Sequence, residues 1–521
     1  MRTVFSMGCV TCSIAFLLCL TLTGNATAET SYEYISHSTD GRNTGSGKRT
    51  QVTPDGRYVV YVASESALVT PGAPGYQIYL YDRIAKTTEL ISISNTGAYG
   101  NKTSDYPTIS DDGCRVVFQS RSENLVSGAG KSEDVFVRER CTNPKQTRVV
   151  SADTQGVPGW AYNANSPAQS YEARISGDGR YVTFGTYANN IGGTATSCGT
   201  CGVAVRKNLD TGSIDVVSVQ ADGTKTSGRN PDISYDGSRI VFWAYNFEGA
   251  SGWDIYLWDA AASGQRVSRV STGSRGEKQA NPVGSISGVH SPGISGNGRY
   301  VSFVTGFDQG KPSLTAEGGN GYTQVYVKDT QTGTLTLASA SPSGALGDKD
   351  SCGSNERPAL TYDGRFVAFP SSANNLVTTT FTNSKPLVRD LVAKKTILVA
   401  ENRFMDNYAL GLSSNGRFVT FSMGQATVDP NFPNTGGAYL ADIMADCFFN
   451  WMERTFPAYF SPAVTSATYD QFYYRYYQGL GNILAISSAN SHLLVLGASF
   501  GNDPLDAGPI TDFLDMSGCP K

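Results

Sequence analysis

Histidine is scarce in this chain, which has only three histidines among 521 residues. They are His37, His290 and His492, and none stands at a recognisable spacing from a serine or cysteine nucleophile. A Ser-His-Asp or Cys-His site needs a positioned base, and the Gly-x-Ser-x-Gly motif of hydrolases is also missing. The sequence therefore argues against a hydrolase that uses a serine or cysteine nucleophile.

The chain also lacks a large excess of charge of one sign and lacks long apolar runs. The net charge is −4 and no basic run stands out, so nucleic acid and anionic membrane surfaces are not expected partners. Beyond the N-terminal residues, no apolar segment is long enough to span a bilayer. No phosphate-binding glycine loop or set of metal ligands stands out, so we expect no cofactor and no metal.

The N-terminal residues have the pattern of an export signal. Arg2 precedes an apolar stretch at 14–22, and Ala26-Thr27-Ala28 is a small-x-small cleavage site. We expect cleavage after Ala28. A retained membrane anchor is the alternative, and it is disfavoured because the apolar stretch is short for a span.

One short pattern is present seven times. An aspartate or asparagine is followed by glycine, and five residues after each glycine stands an aromatic residue. The seven pairs are Asp55-Gly56, Asp112-Gly113, Asp178-Gly179, Asp236-Gly237, Asn297-Gly298, Asp363-Gly364 and Asn415-Gly416. An internal repeat with a period of this length indicates an array of structural units.

Each repeat is predicted to form four antiparallel strands. In the first unit we expect strands at 51–53, 58–62, 78–82 and 88–94, with Asp55-Gly56 as a two-residue hairpin turn. Four such strands are one blade of a β-propeller. The seventh unit lacks a fourth strand, and an unassigned strand lies at 32–38. We therefore expect this N-terminal strand to complete blade seven and close the ring.

The predicted fold class is an all-β seven-bladed propeller with a small α+β C-terminal domain. The expected divisions are a signal peptide at 1–28, the propeller at 29–445 and the C-terminal domain at 446–521. The C-terminal segment is so short that a single hydrophobic core would be only marginally stable, and a disulfide would help to stabilise it. Cys447 and Cys519 bracket the segment and are the expected disulfide there.

Two stretches carry a family resemblance. Residues 175–184 read Ile-Ser-Gly-Asp-Gly-Arg-Tyr-Val-Thr-Phe, and Asn-Leu-Val recurs at 124–126 and 375–377. They resemble the TolB-type, WD-like propeller repeats of exported bacterial proteins. That resemblance implies a protein-docking module, a regulatory propeller or a lyase. The Cys-Phe-Phe-Asn-Trp run at 447–451 and the tyrosines at 473–477 resemble a C-terminal module of exported proteobacterial proteins.

The remaining cysteines are expected to differ in whether they form a disulfide. Cys114 and Cys141 lie at neighbouring ends of antiparallel strands, at the distance that a disulfide requires. Cys198 and Cys201 have CxxC spacing, and a local disulfide is favoured over a redox or zinc site. Cys352 is the odd thiol, expected to stay unpaired, either buried or joining two molecules.

Binding residues are expected on the long loops opposite the Asp-Gly turns. Aromatic residues concentrate in the loops of predicted blades three and four, and either contact a ligand or fold inward onto the blade ends. His290 precedes the inner strand of blade five and could face the channel mouth. The ligand-binding candidates are Trp160, Tyr162, Tyr187, Trp243, Tyr245, Phe247, Trp253 and His290.

The favoured interpretation is an exported, non-enzymatic binding or scaffold protein that recognises a protein or glycan through its long-loop face. A polysaccharide lyase or hydrolase with a channel site is one alternative. A structural component of an extracellular assembly, with contacts through the C-terminal domain, is another. The expected location is the periplasm, the cell surface or the medium of a Gram-negative bacterium.

Overall fold

The computed structural model describes seven four-stranded antiparallel sheets arranged as a β-propeller. The described residues are 32–37, 47–64, 75–129, 132–160, 168–192, 202–245, 247, 252–276, 289–306, 314, 319–353, 357–400, 410–423, 436–443, 486–487 and 493–494. No α-helix occurs among them, and none of them belongs to a segment that could cross a membrane as a helix.

The first four blades follow the chain from the innermost to the outermost strand. Blade one contains β2 (Lys48–Val52), β3 (Tyr58–Ala63), β4 (Gln77–Asp82) and β5 (Thr87–Leu90). Blade two contains β6 (Ser104–Ile109), β7 (Arg115–Ser120), β8 (Asp134–Glu139) and β9 (Gln146–Val149). Blade three contains β10 (Ser170–Ile175), β11 (Tyr181–Thr186), β12 (Val203–Asn208) and β13 (Ile214–Val216). Blade four contains β14 (Arg229–Ile233), β15 (Arg239–Tyr245), β16 (Trp253–Asp259) and β17 (Val267–Arg269).

The last three blades repeat this order, and blade seven takes its outermost strand from the N-terminal segment. Blade five contains β18 (His290–Ile294), β19 (Tyr300–Gly306), β20 (Thr323–Asp329) and β21 (Leu335–Leu337). Blade six contains β22 (Ala359–Leu360), β23 (Phe366–Ser371), β24 (Lys385–Asp390) and β25 (Lys395–Leu398). Blade seven contains β26 (Gly411–Leu412), β27 (Phe418–Met423), β28 (Gly437–Asp442) and β1 (Tyr32–Tyr34).

The prediction of a seven-bladed propeller is confirmed. Of the predicted C-terminal domain, the structure describes only the short antiparallel pair β29 (Ile486–Ser487) and β30 (Leu493–Leu494). Residues 1–31, which include the expected signal peptide, lie outside the described residues, as do Cys198, Cys201, Cys447 and Cys519.

Each Asp-Gly or Asn-Gly turn belongs to a larger hydrogen-bonded loop. In blade one the Thr53 hydroxyl donates to Asp55 Oδ1 at 2.5 Å, and the same oxygen accepts the Arg57 N–H at 3.0 Å. All seven blades repeat both contacts, with a serine or threonine two residues before the aspartate or asparagine. The Thr53 N–H donates to the Tyr58 carbonyl, so four residues lie between these paired residues. The prediction of a two-residue hairpin loop is therefore wrong.

The turn glycine also sets the distance between blades. Gly56 has a φ of 70°, and a Cβ at this position would lie 2.4 Å from the Phe418 ring of blade seven. A Cβ at Gly364 in blade six would lie 2.2 Å from the Tyr300 ring of blade five. A larger residue would therefore strain the backbone and displace the preceding blade.

A second repeated contact ties the hairpin to the third strand in five of the seven blades. An arginine soon after the glycine pairs with the aspartate that ends that strand. The described pairs are Arg57–Asp82 at 2.8 Å, Arg239–Asp259 at 2.8 Å, Arg299–Asp329 at 2.6 Å, Arg365–Asp390 at 2.8 Å, and Arg417–Asp442. In blade two Cys114 follows the glycine and forms a disulfide with Cys141, while Arg115 lies 3.6 Å from Glu139 at the end of the third strand. The disulfide therefore fastens the same two regions as the ion pair does elsewhere.

The hydrophobic core lies between neighbouring blades. Val117 of blade two, for example, belongs to one buried cluster with Phe184 and Val205 of blade three. Tyr34 of β1 joins a cluster with residues of blades six and seven, and its ring lies 5.2 Å from that of Tyr439. Strand β1 pairs with β28 in the register Tyr34↔Tyr439. Glu33 of the same strand reaches Arg83 of blade one at 2.6 Å, so β1 joins the first blade to the last.

We expect replacement of the buried Tyr34 by alanine to weaken ring closure. Tyr34 is 2% exposed, and the loss of its ring should lower the free energy of unfolding by about 3–5 kcal/mol. Tyr32→Ala, which removes a half-buried ring from the same strand, is the control and should cost clearly less. Urea unfolding of both variants measures the difference. Equal, small losses would contradict a packed β1.

Candidate functional site

The two ends of the propeller differ. The Asp-Gly and Asn-Gly turns gather at one end, which we call the turn face, and the second strands end at the opposite one, which we call the long-loop face. Along the axis runs a channel cavity of about 290 Å³. Residues on or beside all seven innermost strands, β2, β6, β10, β14, β18, β22 and β26, line it.

Hydrogen bonds between turns of different blades connect the blades at the turn face. Asp111 N–H donates to the Gly177 carbonyl of the next blade at 2.9 Å, and the Asn415 side-chain amide of blade seven donates to the Pro54 carbonyl of blade one at 2.7 Å. Equivalent bonds run from blade three to blade four, from four to five, from five to six and from six to seven. The turns therefore form a chain of contacts around the channel.

Asp111 places a carboxyl group on the channel wall at this end. The Ser414 hydroxyl of blade seven donates to Asp111 Oδ2 at 3.3 Å. Burial, opposed by this bond and aided by the charges of Asp112, Asp55 and Asp178, raises the pKa of Asp111 to about 7. Asp111 therefore changes charge near neutral pH while it contacts a blade distant in the sequence.

The innermost strands are bulged where they face the channel. In blades one to five the pairing with the second strand slips by a residue, and a non-glycine residue at the slip has positive φ. These residues are Arg49, Tyr106, Glu172, Asn230 and Ser291, with φ between 48° and 56°, and all of them line the cavity. Such backbone strain, repeated around one cavity, is typical of a functional site.

Most channel carboxylates satisfy backbone groups of the next blade. Glu172 accepts the Asn230 N–H at 2.6 Å, and Asp232 accepts the Ile294 N–H at 3.0 Å. Burial raises the pKa of Glu172, although Arg357 and Arg229 oppose the shift. Asp232 also pairs with Arg357 at 3.3 Å. These acids therefore hold adjacent innermost strands together at the bulges.

Three predicted aromatic residues meet at the long-loop end of blade four. The Trp243 and Trp253 rings stack with centroids 3.9 Å apart, and Tyr245 tilts against Trp253 at 5.2 Å. Tyr245 and Trp253 are register partners at the end of the β15–β16 hairpin. Tyr245 is 46% exposed and Trp253 is half-buried, whereas Trp243 also packs on the core between blades four and five. We call these three residues the aromatic platform.

The remaining aromatic candidates lie elsewhere. Phe247 is fully buried against Phe242 and Tyr256, so its ring is not available to a ligand. Tyr187 packs against Tyr171 in blade three, and Trp160 is 52% exposed in the same blade. Tyr162 lies outside the described residues.

His290 begins the innermost strand of blade five but does not belong to the cavity wall, which its neighbour Ser291 forms. Its ring is buried, with Nδ1 2.9 Å from the Ser291 hydroxyl. Burial lowers the pKa of His290 to about 4, so the imidazole is neutral at physiological pH. Among the residues that the structure describes, no cluster of three or more His, Cys, Asp or Glu could hold a metal ion.

Sequence reasoning missed the charged channel wall. The signal was present in the innermost strands, as in Tyr-Glu-Ala-Arg-Ile at 171–175, where charged residues directly precede a turn motif. Alternating polar residues in a strand usually face solvent, and only the closed ring of blades shows that these residues face an enclosed axis.

The odd cysteine, Cys352, is buried, at 2% exposure, in the cluster between blades five and six.

No protein-family profile and no curated protein sequence matches this chain. Several solved structures are similar to it. TolB from Acinetobacter baumannii is 14% identical, with 74% of this chain and 80% of that chain covered and a TM-score of 0.35. An oligogalacturonate lyase from Vibrio parahaemolyticus is 12% identical, with 80% and 97% covered and a TM-score of 0.44. A putative TolB from Agrobacterium tumefaciens is 15% identical, with 56% and 79% covered and a TM-score of 0.32. These values assign none of their activities to this chain.

We expect Asp111→Asn to stabilise the propeller above neutral pH. The folded protein keeps the Asp111 proton up to about pH 7, whereas an unfolded chain releases it near pH 3.8. Stability should therefore fall as the pH rises between these values and then level off. The amide removes this loss, so the variant should gain on the order of 3 kcal/mol at pH 8 and nothing at pH 4.

Urea unfolding between pH 4 and pH 8 measures this difference. Asp363→Asn is the matched control, since blades five and seven carry asparagine at that turn position. A gain in Asp111→Asn that is equal at both pH values would contradict the raised pKa.

Proposed function

We propose that this protein is an exported, non-enzymatic binding protein and that the aromatic platform contacts its partner, a glycan or another protein. The observation that carries the proposal is the partly exposed set of stacked rings at the end of the blade-four hairpin. Large aromatic side chains supply most of the binding energy at such surfaces, because they bury much apolar area with few rotatable bonds.

The position of the platform supports the same proposal. Trp243 is the register partner of Arg229, and Arg229 directly precedes the channel-lining Asn230. The platform therefore lies on the blade-four side of the channel mouth, at the long-loop face. A rigid scaffold that presents its binding residues on one face is the usual arrangement for recognition.

Two observations favour binding over the alternatives. The imidazole of His290, the base that a channel enzyme was expected to use, is buried beside Ser291. The Cys352 side chain is likewise buried, so a disulfide to a second molecule through this residue would require local opening. Export to the periplasm or cell surface is part of the proposal and is supported by the N-terminal signal pattern.

We expect the double variant Trp253→Ala/Tyr245→Ala to lose partner binding without losing the fold. Removal of an interface anchor typically costs about 2 kcal/mol or more, which is a loss of about thirtyfold in affinity. A glycan array, together with cross-linking to proteins of the cell envelope, measures binding and separates the two partner classes. The melting temperature should stay nearly unchanged, because both side chains lie at a hairpin end.

Two further variants serve as controls. Tyr322→Ala removes an exposed ring at the start of β20 in blade five and should bind like the wild type. Trp243→Ala should lower stability by about 3 kcal/mol, because this ring packs on the inter-blade core. Unchanged binding by the double variant would rule out the platform as the contact.

A further inference from the structure

Three arginines reach the wall of the channel cavity from three different blades. They are Arg49 in blade one, Arg174 in blade three and Arg357 at the start of blade six. Two of them have close partners. Arg49 Nε lies 3.0 Å from Asp105 Oδ1. Arg357 lies 3.3 Å from Asp232 and donates to two backbone carbonyls at 2.9 and 3.1 Å.

Arg174 is different. Its nearest carboxylate oxygen is Asp232 Oδ1 at 3.9 Å from Nε, beyond hydrogen-bond distance. That same oxygen is paired with Arg357, and the other oxygen of Asp232 accepts the Ile294 N–H. Within the described part of the chain, the Arg174 side chain makes no hydrogen bond. A guanidinium has five N–H donors, so Arg174 presents a fork of donors to the cavity.

The surroundings of Arg174 disfavour the positive charge of its guanidinium. Burial and the neighbouring charge of Arg357 lower the pKa of Arg174 to about 10, so the group is still charged at neutral pH. Arg49 adds a second repulsion, which the carboxylates of Asp232 and Glu172 oppose. The Arg174 side chain is 19% exposed, so its charge is partly desolvated, and a cation in that position without a hydrogen-bonded anion lowers stability. An anion bound in the channel would remove that cost.

We propose that the channel binds a small organic carboxylate and that the guanidinium of Arg174 is its principal ligand. A carboxylate matches the planar guanidinium fork with two parallel hydrogen bonds. The cavity of about 290 Å³ is at the lower end of the range for small-molecule sites, which fits an acid of a few carbon atoms. The strained residues Tyr106, Glu172 and Asn230 form part of the same wall.

This site is separate from the aromatic platform, since Arg174 lies near the turn end of its strand, one residue from Ile175. The loss of either function would leave the other testable. The most direct experiment titrates the purified protein with sodium acetate, succinate and citrate at constant ionic strength, with sodium chloride and the neutral succinamide as controls. Calorimetry measures binding, and thermal unfolding measures the linked rise in melting temperature.

We expect at least one carboxylate to bind and to raise the melting temperature, whereas chloride and succinamide do not. Arg174→Gln should weaken that binding at least about tenfold, as expected for the loss of a charge-assisted, bidentate contact. Arg180→Gln is the matched control. Arg180 stands in the same blade, also 3.9 Å from a carboxylate, but 57% of its side chain is exposed on the turn face. It should bind like the wild type.

Three results would overturn the proposal. The first is that no carboxylate shifts the unfolding transition beyond the effect of chloride. The second is that succinamide binds as well as succinate, since the site would then recognise shape and not charge. The third is that Arg174→Gln binds with wild-type affinity. If that variant does not fold, Arg174→Lys replaces it, because lysine keeps the charge but lacks the fork, and wild-type affinity would then have the same meaning.

Discussion

The Ser/Thr-x-Asp/Asn-Gly turn is the interaction on which the rest of this structure depends. One side-chain oxygen accepts both the hydroxyl and a backbone N–H, which fixes the shape of the first hairpin in every blade. In blades one, two, four and six, the glycine of the turn also lies against an aromatic ring of the preceding blade. The same few residues therefore set the shape of the hairpin and the spacing of the blades, and seven such blades close the ring.

The closed ring gives the molecule two unlike ends and an enclosed axis. Hydrogen bonds between turns connect the blades at one end, where the Ser414 hydroxyl contacts Asp111, and the aromatic platform lies at the other end. The innermost strands have no further strand on the axis side, so their free backbone groups need other partners. Bulges and carboxylates such as Glu172 and Asp232 supply them. Arg174 is the channel charge that this arrangement leaves without a close acceptor.

Much of the fold was predictable because its signals are local. The second and third strands of blade one were expected at 58–62 and 78–82 and occur at Tyr58–Ala63 and Gln77–Asp82. The disulfide between Cys114 and Cys141 joins strand ends that the same pairing brings together. The fate of the loop aromatics was not predictable. Phe247 and Tyr245 are two residues apart, yet one ring is buried and the other exposed, because the packing of Tyr256 and Phe242 decides between them.

The sequence by itself determined the number of blades, their strand order and the positions of the turns, since these follow from a glycine with positive φ and from strand pairing within one repeat. Only the tertiary structure decided which polar residues face the axis. Glu172 and Arg174 alternate with apolar residues as in any half-exposed strand. Their meeting with Asn230, Asp232 and Arg357 requires blades that are distant along the chain to surround one channel. The electrostatics of that channel therefore belongs to the closed ring, because no single repeat contains it.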